Sequence, residues 1–154
     1  MYRSFARPVL AYFLRRVAAH DADDALADVF VVAWRRLDVI PLGAELPWLY
    51  RVARNVLANH RRTGDRRKRL IGRITEDEIV RRPSATGSGN EMLDAAVRQL
   101  SKGDQEILRL AAWEGLAPAE IAVVLGITPN AASVRLWRAR EALRDAFDRE
   151  GGER

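Results

Sequence analysis

Apolar residues along this chain recur at intervals of three and four, and no alternation with period two is sustained, so the pattern predicts helices and no sheet. Tyr2, Phe5, Ala6, Val9, Leu10, Phe13 and Val17 put residues 2–18 on a first helix with one apolar side. Pro8 lacks a backbone donor, which predicts a kink or a fresh helix start at that point. Acidic residues begin after His20. Asp21 or Asp23 is placed to cap a second helix, whose buried stripe is Leu26, Val29, Phe30, Ala33, Trp34 and Leu37. That phase leaves Asp24, Ala27, Asp28, Val31 and Arg35 outside or at the edge, with Val31 a candidate for a protein contact. Pro41, Gly43 and Pro47 bound a loop from Val39 to Leu46, and a third helix starts near Pro47. Trp48, Val52, Ala53, Val56, Leu57 and His60 take one side of it, while Arg51, Arg54, Asn55, Asn59 and Arg62 take the other.

From Thr63 to Asn90 the period is lost, and a basic run, an acidic patch and a Pro, Ser, Thr and Gly stretch follow one another. This predicts a linker, most mobile over 82–90, although Leu70, Ile71, Ile74, Ile79 and Val80 would let part of it fold against a domain or partner. Helical spacing resumes with Leu93, Ala96, Val97 and Leu100. Ser101 with Asp104 then forms a partial capping box ahead of Ile107, Leu108 and Ala111, a helix that Gly115 can end.

The stretch from Leu116 to Phe147 is the most informative, because it reads as two helices around a tight turn. Ile121, Ala122 and Leu125 share a face of the first. Gly126 suits the left-handed geometry that ends it, Thr128 caps the second, and Pro129 occupies a first position where no donor is lost. Ala132, Leu136, Ala139 and Leu143 are the buried stripe of that second helix, leaving Asn130, Ser133, Val134, Arg135, Trp137 and Arg138 outward. Such a polar and cationic row suits a DNA major groove, and the pair is a helix-turn-helix signature. The predicted fold is therefore all-α: two small helical domains, residues 1–65 and 91–154, joined by a flexible linker over 66–90.

Composition narrows the chemistry. With 154 residues and two units the cores are small, since a 60-residue unit buries only about 60% of its unfolded surface. Cysteine is absent, which removes disulfides and thiolate metal sites, and no apolar run of about 18 residues suggests a membrane span. A soluble cytoplasmic protein is expected. The net charge of +5, from 26 Lys plus Arg against 21 Asp plus Glu, favours an anionic partner. Arg61, Arg62, Arg66, Arg67, Lys68 and Arg69 cluster mid-chain, and Asp21, Asp23, Asp24 and Asp28 cluster early. No phosphate loop, metal spacing or nucleophile triad can be assembled, so neither a cofactor, a metal nor catalysis is expected; His20 and His60 read as capping or packing residues.

Two faces carry candidate chemistry. Arg51, Arg54 and Asn55, headed by Trp48, could hold phosphates and base edges beside a stacking platform, or could be an ordinary solvated basic helix. The helix-turn-helix face, through Asn130, Ser133, Arg135 and Arg138, could read duplex DNA. On these residues alone, a self-sufficient helix-turn-helix regulator with residues 1–62 as a sensing or dimerising domain remains open, and so does a helical adaptor that binds only proteins.

The order of parts carries a further resemblance. DADDALADVFVVAWRRLD, PWLYRVARNVLANHRR, LSKGDQEILRLAAWEGL and APAEIAVVLGITPNAASVRLWRAREALR, in that order, resemble a bacterial sigma factor of the extracytoplasmic-function group over nearly the whole chain except the linker. The resemblance implies a dissociable, non-enzymatic specificity subunit of RNA polymerase with two helical domains, regions 2 and 4. It implies that Asp24, Asp28 and Arg35 contact the clamp helices of the beta-prime subunit, that the C-terminal domain meets the beta flap, and that an anti-sigma factor silences the protein. It further implies that Trp48, Arg51, Arg54 and Asn55 hold the melted minus-ten strand of promoter DNA, and that Asn130, Ser133, Arg135 and Arg138 read the minus-thirty-five duplex. Ala27 stands where the family commonly has glutamine, Ser133 and Val134 where it often has a Lys and Ser pair, and Ala117 where a hydroxyl cap is usual.

Overall fold

The computed structural model describes residues 2–71 and 91–152, so the expectations for residues 72–90, including mobility over 82–90, lie outside the described residues. All regular structure among the described residues is helical: α1 Tyr2–Leu14, α2 Ala19–Arg35, a 3-10 turn Leu37–Val39, α3 Glu45–Ile71, α4 Glu91–Arg98, α5 Lys102–Ala112, α6 Pro118–Leu125 and α7 Pro129–Gly152. They form two compact units, α1 to α3 and α4 to α7.

In the N-terminal unit each helix packs on the other two. Val9, Tyr12 and Phe13 of α1, Ala22, Ala25, Leu26, Val29 and Ala33 of α2, and Leu49, Tyr50, Val52, Ala53, Val56 and Leu57 of α3 are buried together. The Tyr12 ring lies 5.3 Å from that of Phe13 and 5.6 Å from that of Tyr50. Arg16 is only 3% exposed, a position the apolar spacing did not flag. Its guanidinium donates to the Tyr12 carbonyl at 3.0 Å and lies 3.7 Å from the centre of the Tyr12 ring. A buried cation is costly without such partners.

Several boundaries differ from the expected ones for local reasons. α1 ends at Leu14 and contains Pro8 within one continuous helix; the donor that Pro8 lacks would have met the carbonyl of Ser4, an exposed residue whose carbonyl water can serve. α2 begins before the aspartates. Ala18 takes the extended N-cap conformation without a side-chain cap, and Asp21 instead contributes its charge within the first turn. Trp34 and Leu37, expected in the buried stripe, are 76% and 49% exposed. The burial phase follows Ala22, Leu26, Val29 and Ala33, which turns Trp34 to the flank, and the α-helix ends at Arg35 before Leu37 can return to the core. α3 starts at Glu45 and runs to Ile71, past Thr63, because helix propagation needs only one more hydrogen bond per residue once the preceding turns are anchored.

The turn into α3 is tied by Glu45. Gly43 adopts a φ of +82° and donates its amide to Glu45 Oε1 at 2.9 Å. That bond, together with one from Glu45's own amide, lowers the carboxyl pKa below its ordinary value.

In the C-terminal unit α7 packs against α4, α5 and α6 and so forms the spine. Ala132, Leu136, Ala139 and Ala146 of α7 meet Ala96, Ile107, Leu110, Leu116, Ile121, Ala122 and Val124 in the core. The expected caps are present. Ser101 Oγ accepts from the Asp104 amide at 3.1 Å, Gly126 ends α6 at φ 67°, ψ 38°, and Thr128 Oγ1 accepts from the Ala131 amide at 3.1 Å. Ala117 has no hydroxyl, but Glu120 Oε1 reaches back to its amide at 3.0 Å and supplies half of a capping box. Farther along α7, Gln99 donates to the Glu150 carboxylate and accepts from Arg149 at 3.3 Å, which ties the helix end to the region just after α4.

Two outcomes follow. Thr128→Ala should destabilise the C-terminal unit by about 1 kcal/mol in denaturant unfolding, while Thr128→Ser should retain most of that stability. The Glu45 anchor is complete above the ordinary glutamate pKa and is lost as pH falls through the lowered one. The Gly43 amide proton should therefore titrate by NMR with a midpoint below 4.5, and Glu45→Gln should abolish that titration.

Candidate nucleic-acid interface

Burial of one side of α3 fixes what the other side presents. Leu49, Val52, Ala53, Val56 and Leu57 face the core, which turns Arg51, Arg54, Asn55 and Asn59 to the exterior, where all four are exposed. Trp48 is half-buried at the head of this face rather than part of the core stripe. It joins Arg51, Val52, Asn55 and Arg36 around a surface pocket of about 210 Å³. Three of the four predicted residues on this helix thus converge on one concavity, and Arg54, adjacent in sequence to Asn55, is exposed without lining it. Arg36 was missed by sequence reasoning. It follows the last residue of α2, so no helical phase assigned it a face, although its position between two elements could have marked it.

The chemistry available here is specific. An indole face offers stacking, two guanidinium groups offer charge and bidentate donors, and a carboxamide offers a donor and an acceptor on one planar group. Ligand sites of drug size occupy about 300–1,000 Å³, so this concavity is smaller than a site for a whole drug-sized molecule. Beyond it, Arg62 donates to Asn59 Oδ1 and fixes the orientation of that amide.

The N-terminal half of α7 carries the outward row on a face that is exposed among the described residues. Asn130, Ser133, Arg135 and Arg138 are all exposed, as predicted, and between them Val134 and Trp137 are 39% and 64% exposed. Eight residues of rise place this row within about 12 Å along the axis, comparable to the width of about 12 Å of a B-DNA major groove. The buried residues Ala132, Leu136 and Ala139 occupy the opposite side of the same turns.

A third surface lies on α2. Asp24, Asp28 and Arg35 are exposed on its outer side, with Val31 48% exposed among them. Trp34 shares the flank of Ala27 and Val31, at spacings of seven and three residues. Asp28 Oδ2 lies 2.7 Å from His60 Nε2, so one predicted contact residue on α2 is already joined to α3. The described residues include no group of three or more carboxylates and imidazoles placed to hold a metal ion, and no described helix is long and apolar enough to cross a membrane.

Comparison with known proteins matches both units. Residues 1–67 fit the family described as Sigma-70 region 2, and residues 90–143 fit Sigma-70, region 4. Over 152 residues the chain is 30% identical to the ECF RNA polymerase sigma factor SigL of Mycobacterium tuberculosis, covering 94% of this chain and 85% of SigL. It is likewise 30% identical over 141 residues to the RNA polymerase sigma factor CnrH of Cupriavidus metallidurans, covering 83% and 74%. Among solved structures, the sigma factor RpoE in complex with the anti-sigma factor NepR, from Bartonella quintana, shares the fold with a TM-score of 0.65 at 23% identity, over 93% of this chain and 92% of that one. CnrH in complex with the cytosolic domain of CnrY gives a TM-score of 0.57 at 26% identity, over 93% and 80%. The paired region 2 and region 4 units, joined in this order across relatives of similar length, make the chain a member of the extracytoplasmic-function group of RNA polymerase sigma factors, which direct core polymerase to specific promoters and aid their melting.

Proposed function

We propose that the two exposed faces divide promoter recognition by the state of the DNA. Trp48, Arg51, Arg54 and Asn55 hold the melted minus-ten strand, whereas Asn130, Ser133, Arg135 and Arg138 read the minus-thirty-five element as duplex. The observation that carries this reading is the pocket in which Trp48, Arg51 and Asn55 converge with Arg36. A stacking face is of use only to a base that has left its own stack, while the row on α7 has the dimensions of an intact groove. Ser133 and Val134 give this chain its own groove chemistry: a hydroxyl that donates or accepts, beside an aliphatic group suited to a thymine methyl.

The outer side of α2, through Asp24, Asp28 and Arg35, docks on the clamp helices of the beta-prime subunit, and the C-terminal unit meets the beta flap. An anti-sigma factor covers the α2 surface in the silenced state, with Val31 and its neighbours Val32 and Trp34 as apolar anchors. The solved complexes of RpoE with NepR and of CnrH with CnrY support a partner of this kind. The protein acts in the cytoplasm, without catalysis of its own. A self-sufficient regulator is less economical, since the N-terminal unit matches region 2 rather than a sensing domain.

Run-off transcription with core polymerase tests the whole reading: adding the chain should create discrete new start sites, and tight operator binding without polymerase would favour the regulator. Arg54→Ala should impair open-complex formation more than duplex binding, and Arg138→Ala the reverse, with equal effects on both steps counting against the division. Removing the stacking face by Trp48→Ala should weaken capture of single-stranded promoter DNA by about 1–3 kcal/mol, or roughly 5- to 150-fold. Val31→Asp should weaken binding of polymerase or inhibitor by calorimetry, and no change in either would remove it from the contact.

A further inference from the structure

One side-chain bond crosses from the outer side of α2 to α3. His60 Nε2 lies 2.7 Å from Asp28 Oδ2, across 32 residues of sequence. An ionised carboxylate can only accept, so the imidazole donates from Nε2. Packing accounts for the place of the ring: His60 follows Val56 and Leu57, both buried, at spacings of four and three, and is itself 34% exposed. Packing does not account for the bond. Asp28 is 57% exposed, and a wet pair of this kind adds little to stability. Nothing on its own helix holds Asp28 either. The residues three and four positions away are Asp24, Ala25, Val31 and Val32, which supply no cation and one like charge that repels it. Among the described residues Asp24 and Arg35 have no side-chain bond to another helix, so of the three α2 residues assigned to the clamp Asp28 alone is tied to one.

We infer that His60 is a positioning residue for polymerase docking: its Nε2–H sets the orientation of the Asp28 carboxylate on the outer side of α2 before the clamp helices arrive. This role rests on the docking of α2 proposed above. The half-buried ring is seated at the edge of the core and the carboxylate faces solvent, so the more constrained group orients the less constrained one. A carboxylate has about four acceptor positions, and the imidazole takes one of them on Oδ2. Oδ1 and the second lone pair of Oδ2 are left for the donors of a partner. Docking therefore shares Asp28 with His60 and does not displace it. The aspartate side chain is ordered when the chain folds, not when it binds, and a preordered contact residue loses less entropy on association.

The test measures affinity of the full chain for core polymerase in the absence of DNA, beside urea unfolding of the free chain. His60→Phe keeps a ring and removes the donor. It should weaken binding by about 2- to 5-fold, the scale expected for ordering one side chain of two rotatable bonds, while the unfolding midpoint stays close to wild type. His60→Gln returns an N–H donor and should recover wild-type affinity. In an Asp28→Ala background, itself weakened, His60→Phe should have no further effect, because a residue that acts through Asp28 has nothing to act on once Asp28 is gone. NMR couplings between the α and β protons of Asp28 in the free chain should report one rotamer in wild type and an average in His60→Phe. Should Phe lower the unfolding midpoint, His60→Ala removes the donor without added bulk and carries the same expectations. An undiminished loss in the Asp28→Ala background, tighter binding by His60→Phe, or no recovery in His60→Gln would each overturn the role. If Asp28→Ala binds core as wild type does, the docking reading falls and takes the role of His60 with it. A loss from Asp28→Ala with none from His60→Phe sinks the role of His60 alone.

Discussion

A small helical unit has room for one apolar core, so the helix that spans the core is also the helix whose far side must serve the exterior. That constraint governs both halves of this protein. α3 contributes the longest run of buried residues in the N-terminal unit, and α7 packs on all three of its neighbours in the C-terminal unit. Each turns its remaining face outward, and those are the faces bearing Trp48, Arg51, Arg54 and Asn55 on one and Asn130, Ser133, Arg135 and Arg138 on the other. Rotation of either helix by one residue would carry the functional row toward the core and a buried residue out. Packing therefore sets the direction in which each candidate row points with a precision that loops could not supply.

This coupling explains why the C-terminal half was so legible. Gly126, Thr128 and Pro129 act through backbone geometry confined to a few residues, and the stripe Ala132, Leu136 and Ala139 follows at once, so local signals fix the phase of α7. The N-terminal half depends on signals that are not local. Trp34 looked like core from its hydrophobicity, but the smaller Ala22, Ala25 and Ala33 allow close packing and place the buried side elsewhere. Arg16 carried no signal in the apolar spacing, yet it is buried with the Tyr12 ring and carbonyl as its partners. Arg36 belongs to a pocket assembled from two helices, and helical spacing within either one cannot reveal it. The continuation of α3 past Thr63 was equally hidden, because apolar period reports burial and those turns bury little.

The Asp28–His60 bond joins the surfaces of α2 and α3 in a way that neither sequence segment suggests. Asp28 is exposed and His60 only partly so, so the pair is wet and contributes little stability by itself. Its value is geometric. A partner that engages the outer side of α2 must share Asp28 with His60 or displace it, and His60 stands one residue before the cationic extension of α3. Were a partner to dock on α2 as proposed, this contact would be the direct side-chain link from that surface to α3.

Division into two modest faces also accounts for what a specificity subunit must avoid. A face that gripped duplex DNA strongly by itself would strand the free protein on the genome, since cation–phosphate attraction carries no sequence information and every site competes. Here neither candidate face is large: one surrounds a surface pocket of about 210 Å³, the other is a row of about 12 Å. Two DNA-binding faces linked in one chain would gain affinity through effective concentration only when both engage together, and in the proposed reading polymerase would set the separation at which that happens. On the division proposed above, weakness of each face would then be part of the mechanism: a requirement for simultaneous engagement would confine tight binding to DNA that offers both elements at the right distance, with polymerase present to open the strand that the N-terminal face would keep.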